Sequence, residues 1–236
     1  MKALSDALLA QLQIKRSARR KTIGIRFYPD RIQINTPSTV NQAQLLDILA
    51  QKQQWLSHRL AQARERFGDL PVHTYHTGTQ MPYLGNDYVL CVNEGAHTGI
   101  QLSGDQLQVT LSRRGRRPQA ARVRDALSGW YQERALLMLT QKSESLAASL
   151  GKTVAGIKVK HTRSKWGHCT STGHLQFNWL IVQAPEAIVD YLVAHEVSHL
   201  VHANHSAAFW HQVAQLYPDF LTARRWLKQQ GHRLRM

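Results

Sequence analysis

Residues 185–210 read PEAIVDYLVAHEVSHLVHANHSAAFW, with H-E-x-x-H at 195–199 inside a strongly apolar run. Ile188, Val189, Leu192, Val193, Val197 and Leu200 recur at helical spacing, and Pro185 suits the first turn of a helix. Residues four apart share one helix face, so His195 and His199 can present imidazole nitrogens to a single zinc ion. Glu196 sits about a quarter-turn away, beside the fourth, water-occupied position. Two ligands leave such a site one short. His205 lies six residues past His199, after Ala203-Asn204, where the helix can end and the chain turn back. His202 is its competitor, but continuing the same helix would carry that side chain away from the ion.

With thirteen histidines and six glutamates in 236 residues, H-E-x-x-H arises by chance in roughly one such sequence in sixty. The apolar helical context and the displaced third histidine lower that further. Histidines 58, 73, 76, 97, 161, 168, 174, 211 and 232 have no comparable spacing. Three protein ligands plus a water is the catalytic arrangement, here with one Zn²⁺ per chain. The ion lowers the pKa of water to about 7 and polarises a carbonyl or phosphoryl oxygen, while Glu196 takes the proton and passes it to the leaving group.

Working outward, AGIKVKHTRSKWGHC and GHLQFNWLIV alternate as strands, so 155–182 is expected to form a hairpin-like pair ahead of the helix. Val123, Leu127, Trp130, Tyr131, Leu136, Leu137, Leu146 and Leu150 mark a long helix from Pro118 to a C-cap at Gly151. SRRGRRPQ at 112–119 reads as an exposed linker, which places a boundary between a β-rich region, 1–117, and a catalytic domain, 118–236. Within the first region, glycines between short alternating runs over 69–111 predict antiparallel strands. An amphipathic helix is expected from Asn41 to near Gly68, and a β-hairpin around Pro29-Asp30.

The chain is 43% hydrophobic and carries 30 Lys+Arg against 15 Asp+Glu, a formal charge of +15. That balance attracts polyanions, and the basic segments 15–21 and 112–117 are candidates for non-specific nucleic-acid association, although no aromatic platform accompanies them. Two cysteines without C-x-x-C spacing exclude a disulfide framework and a cysteine zinc site. No run of eighteen apolar residues and no signal peptide is visible, so the expectation is a cytoplasmic protein without a membrane partner.

Three stretches resemble the YgjP-like metallopeptidase family, also called DUF45, which is related to SprT-like and WLM zinc proteases. They are RRKTIGIRFYPD at 19–30, RSKWGHC at 163–169 with GHLQFNW at 173–179, and AHEVSHLVHANHSAAFW at 194–210. The resemblance implies a zincin-like catalytic domain, zinc held by His195, His199 and His205, and a catalytic Glu196. His168 stands where the family usually has Ser, and Val197-Ser198 replace the commoner Leu and small residue. Some related sequences are described as nucleotide pyrophosphatases, so polypeptide and nucleotide substrates both follow from the resemblance.

The fold expected is therefore α+β, with a zincin-like C-terminal domain behind the β-rich region. Peptide-bond hydrolysis is the leading reaction. One alternative is a metal-dependent nucleotide pyrophosphatase, converting an NTP such as UTP to NMP and diphosphate. Another is a nucleic-acid-binding module with structural zinc. Arg163 and Lys165 are placed to bind a substrate carboxylate or phosphate. Trp166 either lines the site or staples the hairpin to the helix, and Asn178 either orients substrate backbone or is a plain strand residue. Phe209 and Trp210 read as core, and Cys169 as a small buried hydrophobe.

Overall fold

The computed structural model describes residues 4–67 and 73–236. The protein is mixed α/β and divides into two compact units, Met1–Pro71 and Val72–Met236. Among the described residues no helix is long and apolar enough to cross a membrane.

The first unit contains α1 (Asp6–Leu9), β1 (Leu12–Ser17), β2 (Gly24–Phe27), β3 (Ile32–Pro37), α2 (Gln42–Gln51) and α3 (Gln53–Phe67). The expected hairpin is β2–β3, with Phe27 opposite Ile32 and Gly24 opposite Asn35. β1 adds to the other side of β3 in parallel, giving the order β1-β3-β2. One face of this sheet, with Ile32 and Ile34 fully buried, packs with Leu45, Leu49, Leu56 and Leu60 of the helices. Asn41 starts α2 through a reciprocal capping box with Gln44. The single helix expected from 41 onward is two helices, because Lys52 leaves helical geometry at φ −103°, ψ 15°. Its end near Gly68 falls outside the described residues.

The second unit opens with β4 (Gln80–Tyr83), β5 (Asn86–Gly95), β6 (Gly99–Ser103) and β7 (Gln106–Ser112), ordered β4-β5-β7-β6. The two outer pairings are antiparallel as expected, but the central β5–β7 pair is parallel. β7 alternates Leu107, Val109 and Leu111 inward. Those residues share one core with Val123, Leu127, Tyr131 and Leu139 of α4 (Gln119–Ser149). The boundary expected at 117/118 thus lies inside a unit, and the chain divides at 71/72 instead. A strand sheet whose inward face needs α4 for cover cannot separate from it.

The remaining elements are β8 (Gly156–Lys160), β9 (Gly167–Cys169), β10 (His174–Asn178), a 3₁₀ turn over Trp179–Gln183, α5 (Glu186–Ser198), α6 (Ala207–Leu216) and α7 (Phe220–Gln230). Here the hairpin is β9–β10, and β8 joins β10 from the other side in parallel. The 161–166 connection carries the chain across, so β10 is central and β9 lies at the edge. WLIV does not continue the strand, because Asn178 accepts from Leu180 N and starts the 3₁₀ turn.

The entry to α5 is anchored by the β4–β5 turn. Leu84 N donates to Val182 O at 2.7 Å. Gly85, at φ +82°, lies so close to Pro185 that a Cβ would stand 2.9 Å from its Cα. Only glycine meets both the left-handed geometry and that approach.

Candidate metal centre

The helix carrying H-E-x-x-H is α5, and it stops where the third histidine needs it to stop. His199 is its C-cap, and after one further turn the chain reverses into α6. Asn204 Oδ1 accepts from Ser206 N at 3.2 Å, and Ser206 Oγ accepts from Phe209 N as the N-cap of α6. His205 is held between these two fixed residues. Its Nε2 stands 3.1 Å from Nε2 of His195. Ring centroids of His195, His199 and His205 are separated by 5.1, 5.0 and 4.8 Å. One nitrogen from each of the three lies within 4.8 Å of the others.

These donors fit a divalent cation. Nitrogens around a tetrahedral ion at about 2.0–2.1 Å stand about 3.3 Å apart, close to the spacing of the His195–His205 pair. His199 Nδ1 donates to the His202 carbonyl at 2.9 Å, which fixes its tautomer and leaves Nε2 with its lone pair. His202 thus contributes its backbone, and its side chain is not in the cluster. Burial, reinforced by His199, His205 and Arg224, pushes the His195 imidazole down to about 3. Burial also lowers His199, with His205 and His168 adding to it against the His202 hydrogen bond. Both rings are held neutral, the form in which imidazole ligates metal.

The three imidazoles rest on aromatic rings. Phe209 is fully buried and stacks on His199 at 4.4 Å, with His205 at 4.7 Å and His195 at 5.0 Å. Trp210 stacks on His205 at 5.7 Å and on Phe220 at 5.5 Å, under the Arg224 guanidinium. These residues belong to the core, as expected, and they also orient the histidine rings. Their position four and five residues after His205 was the available signal.

Glu196 is 4% exposed. Burial raises its carboxyl to about 8, with the Lys165 charge opposing. A divalent charge at the triad acts in the same direction as Lys165 and favours the carboxylate. Gly167 on β9 makes room for this side chain: a Cβ there would meet Glu196 Oε1 at 2.1 Å and Cγ at 2.6 Å. Nothing local in the sequence reveals what Gly167 leaves space for.

The other expected site residues separate. Lys165 is exposed, and its charge bears on Glu196. Arg163 is exposed on the same connection. Trp166 packs its indole against Gly231 and is part of the core periphery, while its carbonyl accepts from Asn178 N at 2.7 Å. Asn178 is buried on the central strand, with Nδ2 donating to Thr162 O at 3.0 Å and Oδ1 accepting from Leu180 N at 3.2 Å. Its amide is committed to the 162–166 connection. Cys169 is half-buried, and burial together with Glu196 raises its thiol. The opposite face of α5 borders a cavity of about 730 Å³, where Lys142 pairs with Glu186 at 2.7 Å and Asp190 at 2.6 Å.

A buried carboxyl beside a cluster of three imidazoles defines a candidate metallohydrolase centre. The family model for the YgjP-like metallopeptidase domain matches residues 21–230, nearly the whole chain. The protein therefore belongs to the YgjP-like family, and that membership supports a metal-dependent hydrolase. The comparison with curated proteins finds no match.

Proposed function

We propose that this protein is a zinc-dependent metallopeptidase of the zincin type, with His195, His199 and His205 as ligands and Glu196 as general base. The observation that carries the proposal is the convergence of the three imidazole nitrogens next to a carboxyl buried against Gly167. Zinc held there supplies Lewis acidity toward a water and the substrate oxygen. Glu196 accepts the proton of the attacking water and returns it to the departing amine. Its burial raises its basicity, and Lys165 keeps the carboxylate within reach at neutral pH. β9 supports a peptide substrate, because it is an edge strand of its sheet, on the side of Glu196, and offers backbone groups to an extended chain. Gly167, inside β9, would bring such a chain alongside Glu196.

A second reading, hydrolysis of a nucleoside triphosphate to NMP and diphosphate, draws on the cationic Lys165 near Glu196. A structural zinc site is the weakest fit, since three ligands leave a position open. The test incubates zinc-loaded protein with an unfolded polypeptide and, separately, with nucleoside triphosphates, each beside Glu196→Gln. Polypeptide cleavage lost in the variant supports the peptidase. Glu196-dependent diphosphate release without proteolysis would overturn it in favour of the second reading.

A further inference from the structure

The sheet of the first unit has two unlike faces. Leu12, Ile14, Ile25, Phe27, Ile32 and Ile34 point to the helices. By strand alternation the other face carries two cross-strand rows, Gln13–Gln33–Arg26 and Lys15–Asn35–Gly24. Gln33 Nε2 donates to Asn35 Oδ1 at 3.0 Å, so the carboxamides line up along β3. Gly24 has no side chain in its row, and the Arg20 guanidinium lies over it, 3.1 Å from where a Cβ would stand. Lys15, Arg20 and Arg26 are all exposed. So are Arg19 and Lys21, on the connection between β1 and β2.

No carboxylate shares this face. The strands contain neither Asp nor Glu. The acidic residues among the described residues of this unit are Asp6 on α1, Asp30 in the β2–β3 turn, Asp47 on α2 and Glu65 on α3. Asp30 is paired with Arg31, and Lys15, Arg20 and Arg26 form no ion pair with a described residue. A merely solvated basic surface carries both signs interspersed, whereas this one is segregated and furnished with neutral hydrogen-bonding amides.

We infer that the open face of the β1-β3-β2 sheet binds the phosphodiester backbone of a nucleic acid, through Lys15, Arg20 and Arg26 with Gln13, Gln33 and Asn35 as neutral donors. Three strands span about 10 Å, enough for two or three successive phosphates of one strand. The strand residues of this face include no aromatic ring, and Tyr28, just beyond β2 on the same side by alternation, is covered by the Arg31 guanidinium at 4.4 Å, so recognition is of the backbone and independent of sequence. The face has no apolar side chain to insert among lipids, which sets it apart from a membrane-binding surface. The inference is independent of the proposed peptidase chemistry, since it concerns another unit of the chain.

The experiment measures fluorescence anisotropy of labelled single-stranded RNA and of duplex DNA with the full chain, across about 50–300 mM salt. The sheet variant is Lys15→Ser/Arg20→Ser/Arg26→Ser. A charge-matched control, Arg113→Ser/Arg114→Ser/Arg116→Ser, removes exposed cations from the loop after β7. The sheet variant is expected to lose about tenfold or more in affinity at the lowest salt and to lower the salt slope by about two to three. The control should change affinity by less than about threefold, and whichever nucleic acid is held more tightly identifies the natural form. Equal losses in both variants would show diffuse attraction by net charge and overturn the inference. So would binding to phosphatidylserine vesicles without binding to either nucleic acid. Because all six positions are exposed, unchanged thermal unfolding is expected and checks that each variant is folded.

Discussion

Gly167→Ala adds one methyl group at the point where β9 meets Glu196. The new Cβ would lie 2.1 Å from Oε1, 2.5 Å from Cδ and 2.6 Å from Cγ of Glu196. The closest of these is about 1.3 Å short of ordinary contact. If only Oε1 clashed, a χ rotation would relieve it. The Cγ clash lies near the root of the side chain, and Glu196 is 4% exposed, so the whole carboxyl or β9 itself must move by about 1 Å. Overpacking of this kind costs about 1–3 kcal/mol of stability. A 1 Å misplacement of a reacting group costs on the order of 100-fold in rate. The three atoms nearest the added methyl group all belong to Glu196 and none to the histidines proposed as ligands, so zinc content is expected to be unchanged. The assay compares kcat/KM for an unfolded polypeptide, zinc stoichiometry and thermal unfolding among wild type, Gly167→Ala and Glu196→Gln. Wild-type kcat/KM in a folded, zinc-loaded Gly167→Ala protein would refute the claim that this glycine shapes the proposed general base.

Four further outcomes are expected. Phe209→Ala removes the buried ring under all three imidazoles and should cost about 3–5 kcal/mol in urea unfolding, with weaker zinc retention in chelator competition. His205→Ala should leave thermal stability of the metal-free protein nearly unchanged, because the side chain is exposed, while chelator competition shows zinc affinity falling by at least about tenfold. Asn178→Ala deprives Thr162 O and Leu180 N of their partner and should destabilise by about 1–3 kcal/mol. A change in KM without a change in unfolding would instead return it to substrate binding. Lys142 is raised because its bonds to Asp190 and Glu186 outweigh the opposing effect of burial. A raised folded-state pKa means that the stabilisation is present below the usual lysine value and fades as pH rises through the folded one. The stability difference between wild type and Lys142→Met should therefore shrink in strongly alkaline buffer, as read by denaturant titration.

The local signals served well wherever one segment's own pattern decided the outcome. Pro185 and the apolar periodicity of 188–200 place α5, and Asn41 starts α2, since caps and helix faces are set by neighbours within a turn or two. The β2–β3 hairpin follows from its Pro-Asp turn and alternation in the same way. Strand partners were less legible. β8 alternates as well as β10, yet alternation carries no direction, and only the path of residues 161–166 makes the pair parallel. The same holds for β5 and β7, whose parallel pairing places β6 on the outside.

By itself the sequence determined the placement of the candidate ligands: two imidazoles and a carboxyl on one helix, with a third imidazole where that helix must end, because helical spacing and a capped reversal are local consequences of residue type. The tertiary structure alone decided that Gly167 leaves room for Glu196, that Phe209 and Trp210 carry the histidine rings, and that Asn178 is spent on the backbone. It also decided that the 80–112 sheet belongs with α4 rather than with the residues before it. Each of these depends on surfaces brought together from distant parts of the chain, where the deciding quantity is the volume left between them.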